Sequence, residues 1–352
     1  MTQLTDYLQR AVTDQASDLF IVAGGPVCAK EENRLVPISK DRVFPEETEE
    51  LVRAVYAMAA HPMDRFLEQG DDDFSFSVPG MARFRVNVYR QRGSMAAVIR
   101  VVAFDIPSWK DLLIPEGVMA LSQVQHGMVL VTGTAGSGKS TTQACIIDRI
   151  NQTRECHIIT LEDPIEYLHR DQKSIVSQRE MAIDTADYPS ALRACLRQAP
   201  DVILLGEMRD QETIHTAMTA AETGHLLIAT LHTKGAVNTI DRIVDTFPSG
   251  QQDQVRVQLS MVLHTVVSQQ LVPNTRGGLV PAFEIMHVNN AIRSLIRDSK
   301  THQIDNAIAA GGGEGMITMD QSLLALYKGG EVTAETALAY ADNPDQLKRR
   351  MG

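Results

Sequence analysis

The order of apolar and polar residues differs between residues 1–103 and the remainder of the chain. Near the start, apolar side chains recur at helical spacing, at Leu4, Tyr7, Leu8 and Ala11. Residues 18–23 form an apolar run of strand length. A second helix is predicted from Pro45, because proline followed by acidic residues suits a helix N-terminus. The strands after this helix alternate with period two, so we predict a small α+β domain over residues 1–103.

Beyond this region, apolar runs of strand length alternate with helical segments. Four such runs occur, at 128–133, 157–163, 202–207 and 226–232. This order predicts a parallel sheet covered by helices on both faces, in a domain over residues 117–352. Two prolines and the single tryptophan make residues 104–116 a predicted connector. Polar residues end every run, and open α/β sheets bind ligands at that edge.

Composition narrows the class of protein. The 352 residues suit about two domains, and 44% apolar with 22% charged residues describe a soluble globular protein. A net charge of −11 disfavours a nucleic-acid partner. Four scattered cysteines predict free thiols in a reducing cytoplasm, and the N-terminus lacks a signal-peptide pattern. The longest uncharged stretch, 257–275, is too polar to span a bilayer, so we expect any membrane role to act through a partner.

One predicted strand, 82–90, carries arginines on a single face. Phe84, Val86 and Val88 fall on one side, and Arg83, Arg85 and Asn87 fall on the other. This polar face is either solvated or docks on a phosphate or a neighbouring domain, since guanidinium groups bind phosphate oxygens bidentately. Arg100 is a similar candidate, because an arginine within the apolar run 97–102 needs a partner.

The stretch 133–140, GTAGSGKS, matches the phosphate-binding pattern G-x-x-x-x-G-K-[ST] between a predicted strand and a predicted helix. Its glycines allow the loop to wrap around phosphates, with backbone N–H groups pointing inward. Lys139 would neutralise the β and γ phosphates, and the Ser140 hydroxyl would coordinate Mg²⁺. We therefore predict ATP binding by Gly133, Thr134, Ala135, Gly136, Ser137, Gly138, Lys139, Ser140 and Thr141.

Carboxylates and histidines end the other three runs. The second run ends near Glu162, Asp163 and Glu166. The third run ends in Gly206-Glu207, where an aspartate is usual, and the fourth ends at His232. His225 lies seven residues earlier, at the opposite end of that strand, so the two histidines cannot share a metal ion.

The motifs GTAGSGKST, LEDPIEYLH, DVILLGEMRD and GHLLIATLHT, in this order, resemble the secretion ATPase superfamily of type II secretion and type IV pilus motors. In that family they are the Walker A motif, the Asp box, an atypical Walker B motif and the His box. Further stretches resemble its pilus retraction ATPases: ASDLFI, RFRVNVYRQRG, FPSGQQDQVRVQLS, AIRSLIRD and GMITMDQSL. The resemblance extends from about residue 16 to residue 340.

This resemblance implies a RecA-like P-loop ATPase domain preceded by a PAS-like α+β domain. It implies a homohexameric ring in which ATP lies between neighbouring subunits, at the cytoplasmic side of the membrane. Hydrolysis would turn a PilC-like platform protein of the inner membrane, so that pilin subunits leave the fibre. Glu162 would be the catalytic glutamate, and Glu207 would hold Mg²⁺ through water. His232 belongs to the His box, and at least one of Arg83, Arg85 and Arg100 would approach the γ-phosphate.

Some features leave alternatives open. Ser294, Asp298 and Phe20 stand where retraction ATPases usually have Asn, Glu and His, and Walker A commonly reads GPTGSGKS. Residues 291–298 also fit a plain amphipathic helix with Ile292, Leu295 and Ile296 on its apolar face. The competing functions are a pilus extension or type II secretion ATPase, a nucleic-acid translocase, and a catalytically inactive subunit. Extension and secretion members usually have a longer N-terminal region and often a tetracysteine zinc insert, neither of which this sequence displays.

Overall fold

The structure, a computed structural model, describes residues 2–31, 34–102 and 106–351. The chain divides into two compact units, Met1–Asp105 with Glu166–Leu168, and Ile106–Ile165 with His169–Gly352. Residues 103, 104 and 105, where the predicted N-terminal domain ends and the connector begins, lie outside the described residues. The described part of the connector, 106–116, contains turns, and its last residue, Glu116, begins a helix.

The first unit is an antiparallel sheet with three helices. Its helices are α1 (Thr2–Thr13), α2 (Pro45–Ala59) and α3 (Asp64–Gln69). Its strands are β1 (Asp18–Ile21), β2 (Cys28–Glu31), β3 (Arg34–Pro37), β4 (Asp71–Val78), β5 (Ala82–Gln91) and β6 (Ser94–Val102), in the order β3-β2-β1-β6-β5-β4. The predicted helix at Pro45 is confirmed, with Glu47 accepting a hydrogen bond from the backbone N–H of Phe44 at 2.7 Å.

The second unit is built on a seven-stranded sheet. Its strands are β7 (Gly127–Thr132), β8 (His157–Glu162), β9 (Ile175–Glu180), β10 (Val202–Leu205), β11 (Leu226–Leu231), β12 (Leu263–Pro273) and β13 (Leu279–His287). Its helices are α4 (Glu116–Met119), α5 (Lys139–Thr153), α6 (Tyr188–Cys195), α7 (Gln211–Glu222), α8 (Ala236–Asp245), α9 (Ser249–Val262), α10 (Asn290–Arg297), α11 (Ile304–Ala310), α12 (Met319–Lys328), α13 (Ala334–Tyr340) and α14 (Pro344–Met351). Short 3₁₀ turns occur at Ala120–Gln123, Thr301–Gln303 and Gly311–Glu314.

The strand order is β13-β12-β7-β11-β10-β8-β9, and every neighbouring pair is parallel except β12 with β13. The four predicted apolar runs are β7, β8, β10 and β11, so the parallel sheet is confirmed. Successive side chains of β7 enter opposite cores, since Met128 and Leu130 belong to one apolar cluster and Val129 and Val131 to the other. All residues of β7, β10 and β11 are buried, which accounts for their continuous apolar sequences.

Three strands lack a clear sequence signal. β9 is an edge strand of mostly half-buried residues, and β13 reverses direction at the other edge. β12 is buried for most of its length although it contains Ser268, Gln269 and Gln270. These polar side chains interrupt the apolar pattern, so the sequence indicated only a broken apolar stretch there.

Other predictions concern helices, thiols and membrane spans. Within α10, Ile292 and Ile296 are fully buried and Leu295 packs beside them, which confirms the predicted apolar face. All four cysteines are free. Burial raises the pKa of the thiols of Cys145 and Cys195 to about 11, so both remain protonated at neutral pH. Among the described helices, none combines the length and apolarity needed to cross a membrane.

Candidate nucleotide-binding and catalytic site

The carboxyl ends of four parallel strands meet at one edge of the large sheet. Leu205 pairs with Leu161 on β8 and with Ala229 on neighbouring β11, and Leu231 pairs with Thr132 on β7. The residues that follow these strands therefore lie along a common edge. They are the loop starting at Gly133, the carboxylates Glu162 and Glu207, and the histidine His232.

The glycine-rich loop depends on glycines with positive φ angles and on a close approach of the loop to β12. Gly133, Gly136 and Gly138 have φ of 143°, 75° and 87°. A Cβ at Gly133 would lie 2.3 Å from the carbonyl oxygen of Gln269, so only glycine fits between the loop and β12. The Thr142 hydroxyl donates a hydrogen bond of 2.7 Å to Gln269 Oε1, which fixes the first turn of α5 to the same strand.

Lys139 is 8% exposed, and its ammonium group donates hydrogen bonds of 2.9 Å to the carbonyl oxygens of Gly133 and Thr134. The Ser137 hydroxyl is buried and has no hydrogen-bond partner among the residues that the structure describes. Ser140 and Thr141 begin α5, half-buried. A lysine, an unpaired buried hydroxyl and a helix N-terminus therefore surround the loop, and this donor set suits a polyphosphate.

A cavity of about 250 Å³ adjoins this loop. Its lining combines loop and helix residues with apolar side chains: Asp111, Leu112, Leu113, Ile114, Gly138, Thr141, Thr142, Gln269, Leu271, Leu279 and Pro281. Mostly apolar walls with a few polar groups are typical of a site for a planar organic ring. The lining of this cavity therefore suits a small organic ligand beside the loop.

Glu207 is held between an arginine and a histidine. Arg209 Nη2 lies 2.7 Å from Glu207 Oε2, and His232 Nε2 lies 3.3 Å from Glu207 Oε1. Burial of the carboxylate opposes ionisation, but the hydrogen bonds and charges of Arg209 and His232 outweigh it, so the pKa of Glu207 is lowered. Glu207 is consequently ionised at neutral pH, and an ionised carboxylate is an oxygen ligand that Mg²⁺ prefers.

Glu162 accepts hydrogen bonds from a hydroxyl and an amide. Its Oε1 accepts hydrogen bonds from the Thr160 hydroxyl at 2.6 Å and from Gln178 Nε2 on β9 at 3.3 Å. The two other carboxylates of this predicted cluster, Asp163 and Glu166, are exposed. Glu162 is thus the half-buried, oriented member of the group.

Tyr188, at the start of α6, was not predicted from the sequence. Its hydroxyl oxygen lies 2.8 Å from the position that a Cβ on Gly206 would take, so it occupies the space beside that glycine. Burial raises the pKa of the phenol, and so do the negative charges of Asp163, Glu207 and Glu162. The pairing of a glycine at a strand end with a tyrosine much earlier in the sequence carries no local signal.

The three arginines belong to the first unit. β5 shows the predicted alternation, with Phe84, Val86 and Val88 buried. Arg85 and Arg100 are directly opposite each other on β5 and β6. The partner required by Arg100 is Asp18, whose Oδ1 lies 2.9 Å from Arg100 Nε. Arg83 Nη1 lies 3.5 Å from the Ser77 hydroxyl.

Fold and site together define a RecA-like P-loop ATPase with an N-terminal α+β domain. The model of the Type II/IV secretion system protein family matches residues 2–312, and the chain belongs to this family. The chain is 42% identical, over 98% of its length and 99% of the relative's, to the type IV pilus retractation ATPase PilT of Pseudomonas aeruginosa. It is 40% identical, over 97% of its length and 89% of the relative's, to the type IV pilus ATPase PilU of the same organism.

A crystal structure of the pilus retraction motor PilT with bound ADP superposes with a TM-score of 0.89. That chain is 46% identical, and the match covers 97% of this chain and 98% of the other. The predicted fold class is therefore confirmed, as is the predicted resemblance to pilus retraction ATPases.

Proposed function

We propose that this protein is the ATP-hydrolysing motor that retracts a type IV pilus. The observation that carries the proposal is near full-length similarity to the retraction ATPase PilT in a chain whose glycine-rich loop, Glu162, Glu207 and His232 share one sheet edge. The protein would act as a homohexamer at the cytoplasmic face of the inner membrane. Its partner would be a PilC-like platform protein, and pilin subunits would leave the fibre as the ring turns.

We assign phosphate binding to the loop from Gly133 to Thr141, where backbone N–H groups and Lys139 neutralise the β and γ phosphates. Ser140 and Glu207 would hold Mg²⁺, since a hydroxyl and an ionised carboxylate are suitable oxygen ligands. When bound, the ion neutralises charge that develops on the phosphate oxygens. At least one of Arg83, Arg85 and Arg100 would add a further cation at the γ-phosphate.

We assign different roles to the two principal carboxylates, Glu162 and Glu207. Glu207 lies against Arg209 and His232, which stabilise its ionised form and so reduce its basicity. Glu162 accepts hydrogen bonds from a hydroxyl and an amide, which orient its carboxylate. We therefore assign Glu162 as the residue that orients the attacking water and accepts its proton. We assign Glu207, with His232 beside it, to the side of the site that holds the metal ion.

The biochemical test is ATP hydrolysis by the purified full-length protein with and without Mg²⁺. We expect hydrolysis to require Mg²⁺, and Glu162→Gln to lower kcat by about 10²-fold or more while ATP binding persists. Glu155→Gln is the matched control, because Glu155 is exposed before the opposite end of β8. Wild-type kcat in Glu162→Gln would remove Glu162 from the proposed mechanism.

The genetic test is deletion of the gene in its host. Loss of twitching with more surface pili supports retraction, whereas loss of pili would indicate an extension motor. PilU is nearly as similar as PilT, so the deletion strain is also complemented with each of the two relatives. Restoration of twitching by PilT alone supports the proposed role, and restoration by PilU alone would reassign the chain to that branch.

A further inference from the structure

A second polar cavity lies at the sheet edge opposite the nucleotide site, where β7 and β12 begin. Its volume is about 230 Å³. Its lining includes three histidines from three different segments and an arginine from α10: His126, His264, His287 and Arg293. Four nitrogen-bearing side chains thus converge in a protein whose net charge is −11. None of the proposed catalytic residues lines this cavity.

The backbone is adapted to bring these side chains together. The pairing of β12 with β7 skips His264, since Leu263 pairs with Met128 and Thr265 with Val129. A bulge of this kind re-aims a side chain, and His264 remains partly exposed between buried neighbours. Gly127 has a φ of 105°, and a Cβ there would lie 3.0 Å from the Val262 carbonyl oxygen and 3.6 Å from His264 Cβ. Glycine therefore allows the His126 segment to approach the bulge.

Thr265 joins two of the histidines. Its hydroxyl lies 2.8 Å from His264 Nδ1 and 2.9 Å from His287 Nδ1, and Thr265 is directly opposite His287 in the β12–β13 ladder. One hydroxyl can donate only one proton, so at least one imidazole must donate from Nδ1. When both rings are protonated, the hydroxyl oxygen accepts from both. This arrangement therefore accommodates the fully protonated pair, in which both Nε2 atoms are donors.

The remaining nitrogen atoms are open to a ligand. Within the described residues, His126 and the Nε2 atoms of His264 and His287 have no hydrogen-bond partner. Arg293 donates from Nε to the Ser260 carbonyl oxygen at 2.8 Å and from Nη1 to Asn290 at 3.4 Å, and it forms no ion pair with any described residue. The described chain also offers no set of three ligands placed to hold a metal ion. The donors therefore suit an anion.

Charge at this cavity depends on pH. Burial lowers the pKa of His264, and the neighbouring His287 and His126 lower it further. Burial also lowers the pKa of His287, while the carboxylate of Glu314 opposes that effect. Glu314 itself accepts a hydrogen bond of 2.9 Å from Asn289 at the rim. Without an anion, burial therefore favours the neutral forms of His264 and His287, and a bound anion would favour their protonation.

We infer that His126, His264, His287 and Arg293 form a binding site for a tetrahedral oxyanion of the phosphate class, occupied more strongly as pH falls. One guanidinium and up to three imidazolium groups match a multiply charged oxyanion better than a single carboxylate. The site is lined by both the sheet and the AIRSLIRD helix, so the anion would link α10 to β12 and β13 through Arg293.

The test uses full-length protein loaded with Mg²⁺ and a non-hydrolysable ATP analogue. The analogue occupies the glycine-rich loop, so the sulfate used as a probe cannot bind there. Sulfate is titrated calorimetrically at about pH 6 and about pH 8, at constant ionic strength set with chloride. We expect binding about tenfold or more tighter at the lower pH. Absence of sulfate binding at the lower pH, or equal affinity at both, would overturn the inference.

Variants assign the binding to these side chains. His126→Gln and His264→Gln are expected to weaken sulfate binding about tenfold or more at about pH 6. His302→Gln is the matched control, because His302 is exposed and does not line the cavity. Unchanged affinity in both site variants, with thermal unfolding like that of wild type, would contradict the assignment.

Proton uptake by the wild-type protein provides a test that does not depend on any variant folding correctly. Sulfate does not titrate in this range, so calorimetry in buffers of different ionisation enthalpy counts the protons taken up by the protein. We expect net proton uptake on sulfate binding near neutral pH, and no uptake would refute the site.

A vesicle experiment distinguishes the two sources of such an anion. Co-sedimentation with phosphatidylglycerol vesicles, but not phosphatidylcholine vesicles, would identify a lipid headgroup as the ligand if His264→Gln abolishes it. Sulfate binding without vesicle binding would identify a free oxyanion.

Discussion

Replacing Gly206 with alanine tests the packing that separates Glu162 from Glu207. The added Cβ would lie 2.8 Å from the Tyr188 hydroxyl oxygen, 3.1 Å from the Leu161 carbonyl oxygen and 3.4 Å from Glu162 Cα. Comfortable contacts are about 3.5 Å or longer, so the hydroxyl contact is short by about 0.7 Å. The Leu161 carbonyl cannot retreat freely, because it accepts a hydrogen bond of 2.8 Å from the Gly206 N–H.

Overpacking of this kind costs about 1–3 kcal/mol. The phenol is half-buried and can shift, so we expect Gly206→Ala to lower the free energy of unfolding by about 1–2 kcal/mol. The end of β10 also carries Glu207, and displacements of about an ångström cost up to about 10²-fold in rate. We expect kcat to fall about tenfold. The KM for ATP should change little, because the glycine-rich loop follows β7 instead.

The assays are urea unfolding and steady-state ATP hydrolysis, each repeated in a Tyr188→Phe background. Removing the hydroxyl removes the closest contact, so the stability cost of Gly206→Ala should shrink by about 1 kcal/mol in that background. Gly250→Ala is the control, since nothing lies within 4 Å of a Cβ there. Normal stability and rate in Gly206→Ala, or an equal stability cost in both backgrounds, would refute the reasoning.

Three further predictions concern residues around the sheet. Burial raises the pKa of Glu284 to about 7 although it accepts a hydrogen bond from the Ala236 N–H. The folded state then holds a proton that the unfolded state has lost, so this group's contribution to stability falls as pH rises from about 4.5 to about 7, by about 3 kcal/mol. Urea unfolding across that window should show the slope in wild type and its loss in Glu284→Gln, and equal slopes would disprove the assignment. Gln269→Ala should raise the Kd of a fluorescent ATP analogue about tenfold by freeing the first turn of α5, whereas unchanged affinity would exclude that positioning role. His232→Ala removes one group that lowers the pKa of Glu207, so the acidic limb of the kcat–pH profile should move to higher pH, and an unmoved limb would contradict the pairing.

The sequence alone was sufficient to predict those features that depend on a single strand or a single motif. Continuous apolar runs identified β7, β8, β10 and β11, because strands covered on both faces need apolar side chains throughout. The glycine-rich loop was recognisable because its spacing and its strand–helix context are both local.

Features that depend on distant partners were not predictable in the same way. β12 was missed because Gln269 is polar yet buried, and its partner Thr142 is more than a hundred residues away. Tyr188 and the His126–His264–His287 cavity were missed for the same reason, since their neighbours come from separate strands. A sequence pattern gives the residue types at a site, whereas packing decides which of them meet.

The contacts of Gly206 give a physical reason why β10 is followed by glycine and glutamate, where an aspartate is usual. Gly206 lies beside Glu162 in the parallel ladder, since Leu205 pairs with Leu161 and the Gly206 N–H bonds to the Leu161 carbonyl. An acidic side chain at 206 would collide with the Tyr188 hydroxyl and would place a second negative charge directly beside Glu162. Such like-charge pairs raise one of the two pKa values, which opposes ionisation of both carboxylates together. With glycine at 206 the next acid is Glu207, whose carboxylate contacts Arg209 and His232 instead. Glycine at 206 thus avoids a second acid directly beside Glu162, and Glu207 carries the other carboxylate one residue further along the chain.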